Sequence, residues 1–158
     1  MLRIGINGFG RIGRALTRMN LKYQHYDLVA INDIDPDINN LAYLLKYDTT
    51  YGKLDYAKVE VGENSLIINE KITKVFSNKS ILSIPWYDMG IDVVIDASGV
   101  FENVLDSNIL IGNGVKKVII THSPKKILIS HILKVLMKKI ITQLCIILLA
   151  QVFVMPMQ

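Results

Sequence analysis

Short apolar runs alternate along the chain with stretches whose apolar residues recur every three or four positions. Arg3-Ile-Gly-Ile-Asn7 reads as a short buried strand. From Arg11 to Lys22, Ile12, Ala15, Leu16 and Met19 recur at helical spacing, which predicts a helix with that stripe as its apolar face. Leu28-Val-Ala-Ile31 is a second buried strand, ended by Asn32-Asp33, and Asn39 to Tyr47 reads as a helix with Leu41, Leu44 and Leu45 on its apolar side. Lys58–Val61, Ser65–Ile68 and Ile72–Phe76 are short alternating strands joined by turns at Gly62–Ser65 and Asn69–Lys71, the pattern of an antiparallel insertion. Asp92–Ile95 reads as a parallel-type strand with an apolar Val-Val-Ile run, and it leads into Ser98-Gly99. A helix over Glu102–Ile111 and a strand at Val118–Ile120 follow. Strands alternating with helices predict an α/β fold, a Rossmann-type doubly wound parallel sheet with a small antiparallel insertion.

The pattern changes after Lys126. The last glycine is Gly114, the last acid is Asp106, and no turn residue interrupts the aliphatic sequence from Ile127 until Pro156. Residues 1–126 therefore read as one domain and residues 127–158 as an apolar tail of different character. Ile140 to Met157 approaches the length that spans a bilayer and is preceded by Lys138-Lys139. One reading is a membrane-tethered or partner-binding nucleotide module. Thr142, Gln143 and Gln151 lie inside the proposed span and argue against it, so no membrane is expected as a partner.

Composition narrows the class. The chain has 158 residues, 51% hydrophobic and 20% charged, which fits a globular protein with its own core rather than a disordered one. The net charge of +4 arises late: residues up to Lys126 carry 15 basic against 14 acidic side chains, and the tail adds Lys134, Lys138 and Lys139 with no acid. Without a basic cluster interleaved with aromatics, no nucleic-acid partner is expected. Met1 to Gly13 carries no secretory signal pattern, and the expected location is cytoplasmic. The single cysteine, Cys145, excludes an internal disulfide, and His25, His122 and His131 lack ligand spacing, so no metal site is expected.

The chemistry lies in Ile6-Asn-Gly-Phe-Gly-Arg-Ile-Gly13. Gly8, Gly10 and Gly13 form G-x-G-x-x-G between a strand and a helix. The first glycine permits the tight turn, the second lets backbone approach a pyrophosphate, and the third lets the helix pack closely on the strand. The helix start adds unpaired N–H groups and a positive dipole end. Asp33 follows Gly13 by 20 residues at the end of the second strand, where a carboxylate accepts ribose hydroxyls and repels a 2′-phosphate. The pattern therefore predicts NAD rather than NADP as cofactor. Arg11, at the helix start, is placed for phosphate contact. Ser98-Gly99 ends a parallel-type strand, where open α/β sheets bind ligands.

Six segments in order resemble the phosphorylating, NAD-dependent glyceraldehyde-3-phosphate dehydrogenases. They are I-N-G-F-G-R-I-G-R (Ile6–Arg14), V-A-I-N-D (Val29–Asp33), Y-L-L-K-Y-D-T-T-Y-G (Tyr43–Gly52), I-P-W (Ile84–Trp86), D-A-S-G-V-F (Asp96–Phe101) and K-K-V-I-I-T (Lys116–Thr121). The resemblance covers residues 1 to about 126. It implies an oxidoreductase of glycolysis, usually a cytosolic homotetramer. That enzyme converts glyceraldehyde 3-phosphate and inorganic phosphate to 1,3-bisphosphoglycerate through a cysteine thiohemiacetal. By matching position it implies that Arg11 and Ile12 line the pyrophosphate and Asp33 holds the adenosine ribose. Lys79 falls near the adenine, and Gly99 and Thr121 fall on the nicotinamide side. His122-Ser-Pro124 departs from the family's A-P-S, and Asn78 and Ser80 depart from its acidic neighbours of the adenine residue. Erythrose-4-phosphate dehydrogenases share these motifs and remain the alternative enzyme.

The family's S-C-T-T-N motif, catalytic histidine and substrate-phosphate ligands lie beyond the region of resemblance. Cys145 stands in L-C-I-I-L-L, with nothing nearby to stabilise a thiolate. The expectation is a truncated Rossmann domain without a catalytic domain, in which no residue of this chain is catalytic. Such a domain would leave the apolar faces at Ile95 and Ile119 partly uncovered.

Reading the tail one nucleotide earlier explains its character. Met137-Lys138 then forces a glutamate, and Met155-Pro156 and Met157-Gln158 force alanines. Val135–Gln143 permits G-V-N-E-K-N-Y-N-P, and Ile146–Gln158 permits H-N-I-I-S-S-S-F-C-D-A-N-A, which resemble two family segments in the correct order. A frameshift near the adenine-rich codons of Lys125-Lys126 is the expected cause. The restored cysteine motif would read C-D-A-N rather than C-T-T-N.

Overall fold

The computed structural model describes residues 1–122. Strand β1 (Arg3–Asn7) passes through the glycine loop into helix α1 (Arg11–Tyr23), which stops where Gln24 turns left-handed and returns its N–H to the Asn20 carbonyl. Strand β2 (Asp27–Asn32) follows. Helix α2 (Ile38–Lys46) is capped by the Asp37 carboxylate, which accepts the Asn39 N–H. Tyr47, expected in this helix, instead opens a two-residue ribbon of β3 (Tyr47–Asp48) and β4 (Gly52–Lys53). The helix ends there because its last carbonyls have other donors: the Arg18 guanidinium takes Leu45 O at 2.7 and 3.0 Å, and the Leu54 N–H takes Lys46 O at 2.8 Å. Strands β5 (Val59–Gly62), β6 (Ser65–Ile68) and β7 (Lys71–Phe76) form a meander. A 3₁₀ turn (Ile81–Ser83), β8 (Val93–Asp96), α3 (Asn103–Gly112) and β9 (Lys117–Ile120) complete the described chain.

The sheet has seven strands in the order β5-β6-β7-β2-β1-β8-β9. The pairs β7–β2, β2–β1, β1–β8 and β8–β9 are parallel, while β5–β6 and β6–β7 are antiparallel. The expected Rossmann-type sheet is present, and its antiparallel strands are continuous with it, because β7 is also the third parallel strand. The chain moves from β1 to β2 on one side and later returns to pair β8 on the other. That reversal beside β1 opens a crevice at the carboxyl ends of the strands.

Packing follows the apolar pattern with two corrections. Ile6, Ile31, Leu41, Leu45 and Leu66 are fully buried, each contributing about 1.5–3 kcal/mol against an exposed state. On α1, however, the buried positions are Gly13, Thr17 and Arg18, while Ile12 and Met19 are 46% and 53% exposed. The small Gly13–Thr17 face lets the helix approach the sheet closely, with Thr17 Oγ1 bonded to Gly13 O at 3.0 Å; Leu16 of the apolar stripe packs against the core beside it, while Ile12 and Met19 turn outward. The second correction is Ile95, which is buried with Ile4, Ile6 and Val93; Ile119 is 41% exposed, as expected. The Trp86 of I-P-W is a core residue. Its indole N–H donates to Ile81 O at 2.8 Å, and its ring lies where a side chain at Gly5 would stand.

Among the described residues no helix is long and apolar enough to cross a membrane, and no group of three or more His, Cys, Asp or Glu is placed to hold a metal. The segment 140–157, Cys145, the boundary at residue 126 and the tail 127–158 lie outside the described residues.

Candidate functional site

A buried polar network ties together the strand ends beneath the crevice. The Asn32 amide donates to Asn7 Oδ1 at 2.7 Å, and the Asn7 amide donates to Asp96 Oδ1 at 2.8 Å. Asn32 also binds both backbone groups of Asn78, donating to its carbonyl and accepting its N–H at 2.9 Å each. These three strand-end residues are almost wholly buried, and both asparagine amides find protein partners in place of the water they have lost. The network fixes the loops after β1, β2, β7 and β8 against one another.

The crevice above this network has a volume of about 220 Å³, and Gly8, Gly10, Asp33 and Lys79 line it. Gly8 is required twice over. Its φ is +91°, and a Cβ there would stand 2.5 Å from the backbone of Ser98. The glycine loop thus rests directly on the Ala97–Ser98 loop. Gly13 has no room for a side chain either, because a Cβ would collide with the Gly8 carbonyl. Gly10 differs: no atom lies within 4 Å of the position its Cβ would take. It is the N-cap of α1, offers no side-chain cap, and the first turn contains no acid. Among the described residues, the leading N–H groups of the helix therefore have no side-chain cap and no acidic neighbour in the first turn.

Asp33 Oδ2 accepts the Phe9 N–H at 2.5 Å and Oδ1 accepts the Asp35 N–H at 3.0 Å. A carboxylate has about four acceptor positions, so each oxygen retains capacity for a further donor. Asp35 is held below the usual carboxylate range, first by the Asp37 N–H and then by the Asn40 side chain. The end of β2 is thus acidic.

The other expected residues stand at the margins. Arg11 and Ile12 begin α1 and line a separate groove of about 580 Å³ with Met19, Tyr23, Tyr51 and Tyr56. Gly99, with φ of +74°, lies between the crevice-lining Ser98 and Val100 but is not itself part of the lining. Thr121 turns its hydroxyl to Asp96 O at 3.2 Å and closes the end of β8. Asn7, Asn32, Asn78, Ser98 and Asn103 also line the crevice. Of these, Ser98 was marked in the sequence by its place at a strand end; the four asparagines were not marked as site residues, although the Asn at each strand end preceding Gly8 and Asp33 was a usable signal.

Comparison with known proteins identifies the family of the chain. The family model described as glyceraldehyde 3-phosphate dehydrogenase, NAD binding domain, matches residues 2–104. The chain is 46% identical over 121 residues to glyceraldehyde-3-phosphate dehydrogenase 1 of Bacillus cereus, covering 77% of this chain and 36% of that protein. It is 46% identical over 123 residues to the Thermotoga maritima glyceraldehyde-3-phosphate dehydrogenase, with the same coverage of each. A Kluyveromyces marxianus glyceraldehyde-3-phosphate dehydrogenase 1 is 43% identical over 121 residues. The chain thus spans about a third of the length of these curated relatives (36%). Family model and relatives together place the chain in the glyceraldehyde-3-phosphate dehydrogenase family, through its NAD-binding domain.

Proposed function

We propose that this chain binds NAD in the crevice between the loops after β1, β2 and β8, as the cofactor-binding part of a glyceraldehyde-3-phosphate dehydrogenase-like oxidoreductase. One observation carries the reading: Gly10 keeps an empty, side-chain-free approach in front of the uncapped start of α1. Backbone N–H groups at such a helix start hold a pyrophosphate. In this reading Gly8, Gly10, Arg11, Ile12 and Gly13 surround the phosphates, and Asp33 accepts the adenosine ribose hydroxyls. Lys79 flanks the adenine, while Gly99 and Thr121 border the nicotinamide. When bound, NAD supplies the hydride acceptor for aldehyde oxidation.

The catalytic step belongs to the family rather than to these 158 residues, which contain no S-C-T-T-N run. The cofactor domain extends over residues 1–126, with residues 127–158 as a tail of shifted frame, in a cytoplasmic protein. Calorimetric titration of the full chain with NAD and NADP tests the binding. Saturable binding of NAD with weaker binding of NADP is expected, and no heat with NAD sinks the reading. NADH formation from glyceraldehyde 3-phosphate and phosphate is expected to stay at background. Sequencing the coding DNA past Lys126 tests the frameshift, and a stop codon or no family motif in the shifted frame refutes it.

A further inference from the structure

Helix α1 carries two arginines one turn apart, Arg14 and Arg18, and their guanidinium groups are used differently. Arg18 is surrounded by carbonyls: it donates to Leu45 O from Nε at 3.0 Å and Nη2 at 2.7 Å, to Gly52 O at 3.0 Å and to Tyr51 O at 3.4 Å. Among the described residues the Arg14 side chain makes one hydrogen bond, from Nη1 to Phe9 O at 2.9 Å. Its Nε is buried without a partner, and its Nη2 stands 3.9 Å from Asp48 Oδ2, an ion pair without a hydrogen bond. A buried donor left unpaired costs about 1–3 kcal/mol, so stability alone does not account for this placement.

Phe9 stands between Gly8 and Gly10 with its ring buried in the core. Asp33 takes its N–H and Arg14 takes its carbonyl, so the peptide planes on both sides of it are fixed. A trans peptide directs its N–H opposite to its C=O. With Phe9 O held toward Arg14, the Gly10 N–H points the other way, and among the described residues no acceptor takes it. The Arg14 backbone repeats the arrangement one peptide later. Its N–H takes Gly10 O at 3.0 Å, which turns the Arg11 N–H out of the helix start. A single residue thus holds two successive carbonyls and leaves two successive N–H groups free, where Gly10 keeps the approach open. If the Phe9–Gly10 plane turned over, it would present a carbonyl oxygen there, which repels an anion.

We propose that Arg14 is a positioning residue for the cofactor: anchored by Asp48, its guanidinium holds the Phe9–Gly10 peptide with the N–H presented to the pyrophosphate of NAD. This rests on the NAD reading above. Asp48 is itself fixed, because its Oδ1 accepts the Thr50 N–H at 2.8 Å and the Tyr51 N–H at 3.0 Å. Those bonds, the one from Tyr51 first, hold its carboxyl below the usual range and keep the anchor anionic. Neither Arg14 nor Asp48 lines the crevice, so both act through the loop. An effect of charge alone has the opposite signature at Asp48: removing that anion would strengthen the pull of Arg14 on a phosphate and tighten binding.

Calorimetric NAD titrations of the full chain and of its Arg14→Met, Arg14→Lys and Asp48→Asn variants test this, alongside amide relaxation NMR of Gly10 without NAD. Arg14→Met removes the donor and should weaken NAD binding about tenfold, the effect of losing one ordinary hydrogen bond. Arg14→Lys keeps a donor for Phe9 O and a charge for Asp48, and should stay within about threefold of wild type. Asp48→Asn keeps an acceptor for Thr50 and Tyr51 but loosens the anchor, so NAD should bind more weakly. The Gly10 N–H order parameter should be about 0.85 in wild type and Arg14→Lys, fall below about 0.6 in Arg14→Met, and lie between in Asp48→Asn. Unchanged NAD affinity or an equally ordered Gly10 amide in Arg14→Met overturns the proposal, as does equal or tighter NAD binding by Asp48→Asn. Should Arg14→Met not fold, the sign of the Asp48→Asn change decides. A wild-type chain that binds no NAD sinks the cofactor reading instead, and the Gly10 order parameters still decide whether Arg14 holds the loop.

Discussion

Replacing Gly8 and Gly10 separately by alanine distinguishes a glycine needed by the fold from one needed by the ligand. At Gly8 the φ of +91° costs an alanine about 1–2 kcal/mol, and the added methyl would meet Ser98 backbone at 2.5 Å. Overpacking of this kind adds about 1–3 kcal/mol. The sum, about 2–5 kcal/mol, is a large part of the 5–15 kcal/mol that stabilises an ordinary domain. At Gly10 the φ is −67°, and nothing lies within 4 Å of the new methyl. Gly10→Ala should therefore leave stability within about 1 kcal/mol of wild type. Its methyl would instead stand where a pyrophosphate approaches the helix start. Losing one charge-assisted hydrogen bond there, about 1.5–3 kcal/mol, lowers NAD affinity about 10- to 100-fold. Urea unfolding followed by circular dichroism measures the first quantity and calorimetric titration the second. A Gly8→Ala protein as stable as wild type would refute the packing argument. A Gly10→Ala protein that binds NAD unchanged would refute the proposed location of the pyrophosphate.

Asp33→Asn keeps an acceptor for the Phe9 N–H but removes the negative charge, so NAD should bind about tenfold more weakly while the preference over NADP narrows; paired titrations with both dinucleotides read this. Arg18→Ala leaves the Leu45 and Gly52 carbonyls without their guanidinium donor, and a loss of about 2–4 kcal/mol is expected in urea unfolding. Arg18→Lys should recover little of it, because one ammonium cannot reproduce the fork. Asp92 is held below its usual range, first by the Lys116 side chain and then by the Arg3 N–H. The depressed folded value makes its contribution complete above the unfolded carboxylate value of about 3.9 and lost as pH falls through the folded value. Acid unfolding of Asp92→Asn should consequently show a smaller loss of stability below about pH 4 than wild type.

Sequence periodicity identified β1, β2 and β8 because these central strands are largely buried and read as apolar runs, whereas β7 was legible by its alternation. On α1 it marked Leu16, which packs on the core, together with Ile12 and Met19, which do not. There the helix meets the sheet through Gly13 and Thr17, and no hydrophobicity pattern marks a contact made by small residues. The glycine motif and Asp33 were legible because their backbone and charge requirements restrict residue type to one or two choices. Asn7, Asn32 and Asn103 were not, since asparagine also suits turns and helix ends. Their role emerges only when β1, β2, β8 and α3 converge. Arg18 was concealed for a similar reason: its partners are backbone carbonyls 27 and 34 residues away, which no side-chain motif records.

Asn7 lies opposite both Asn32 and Asp96, so the crevice is assembled from one strand pairing 25 residues apart and another 89 residues apart. The first closes a short loop, whereas the second must organise most of the described chain before it gains any contact. A folding chain therefore acquires the glycine loop early and the wall beneath it late. Cofactor binding would follow the last long-range pairing to form, so the appearance of NAD affinity during refolding would time the docking of β8 on β1.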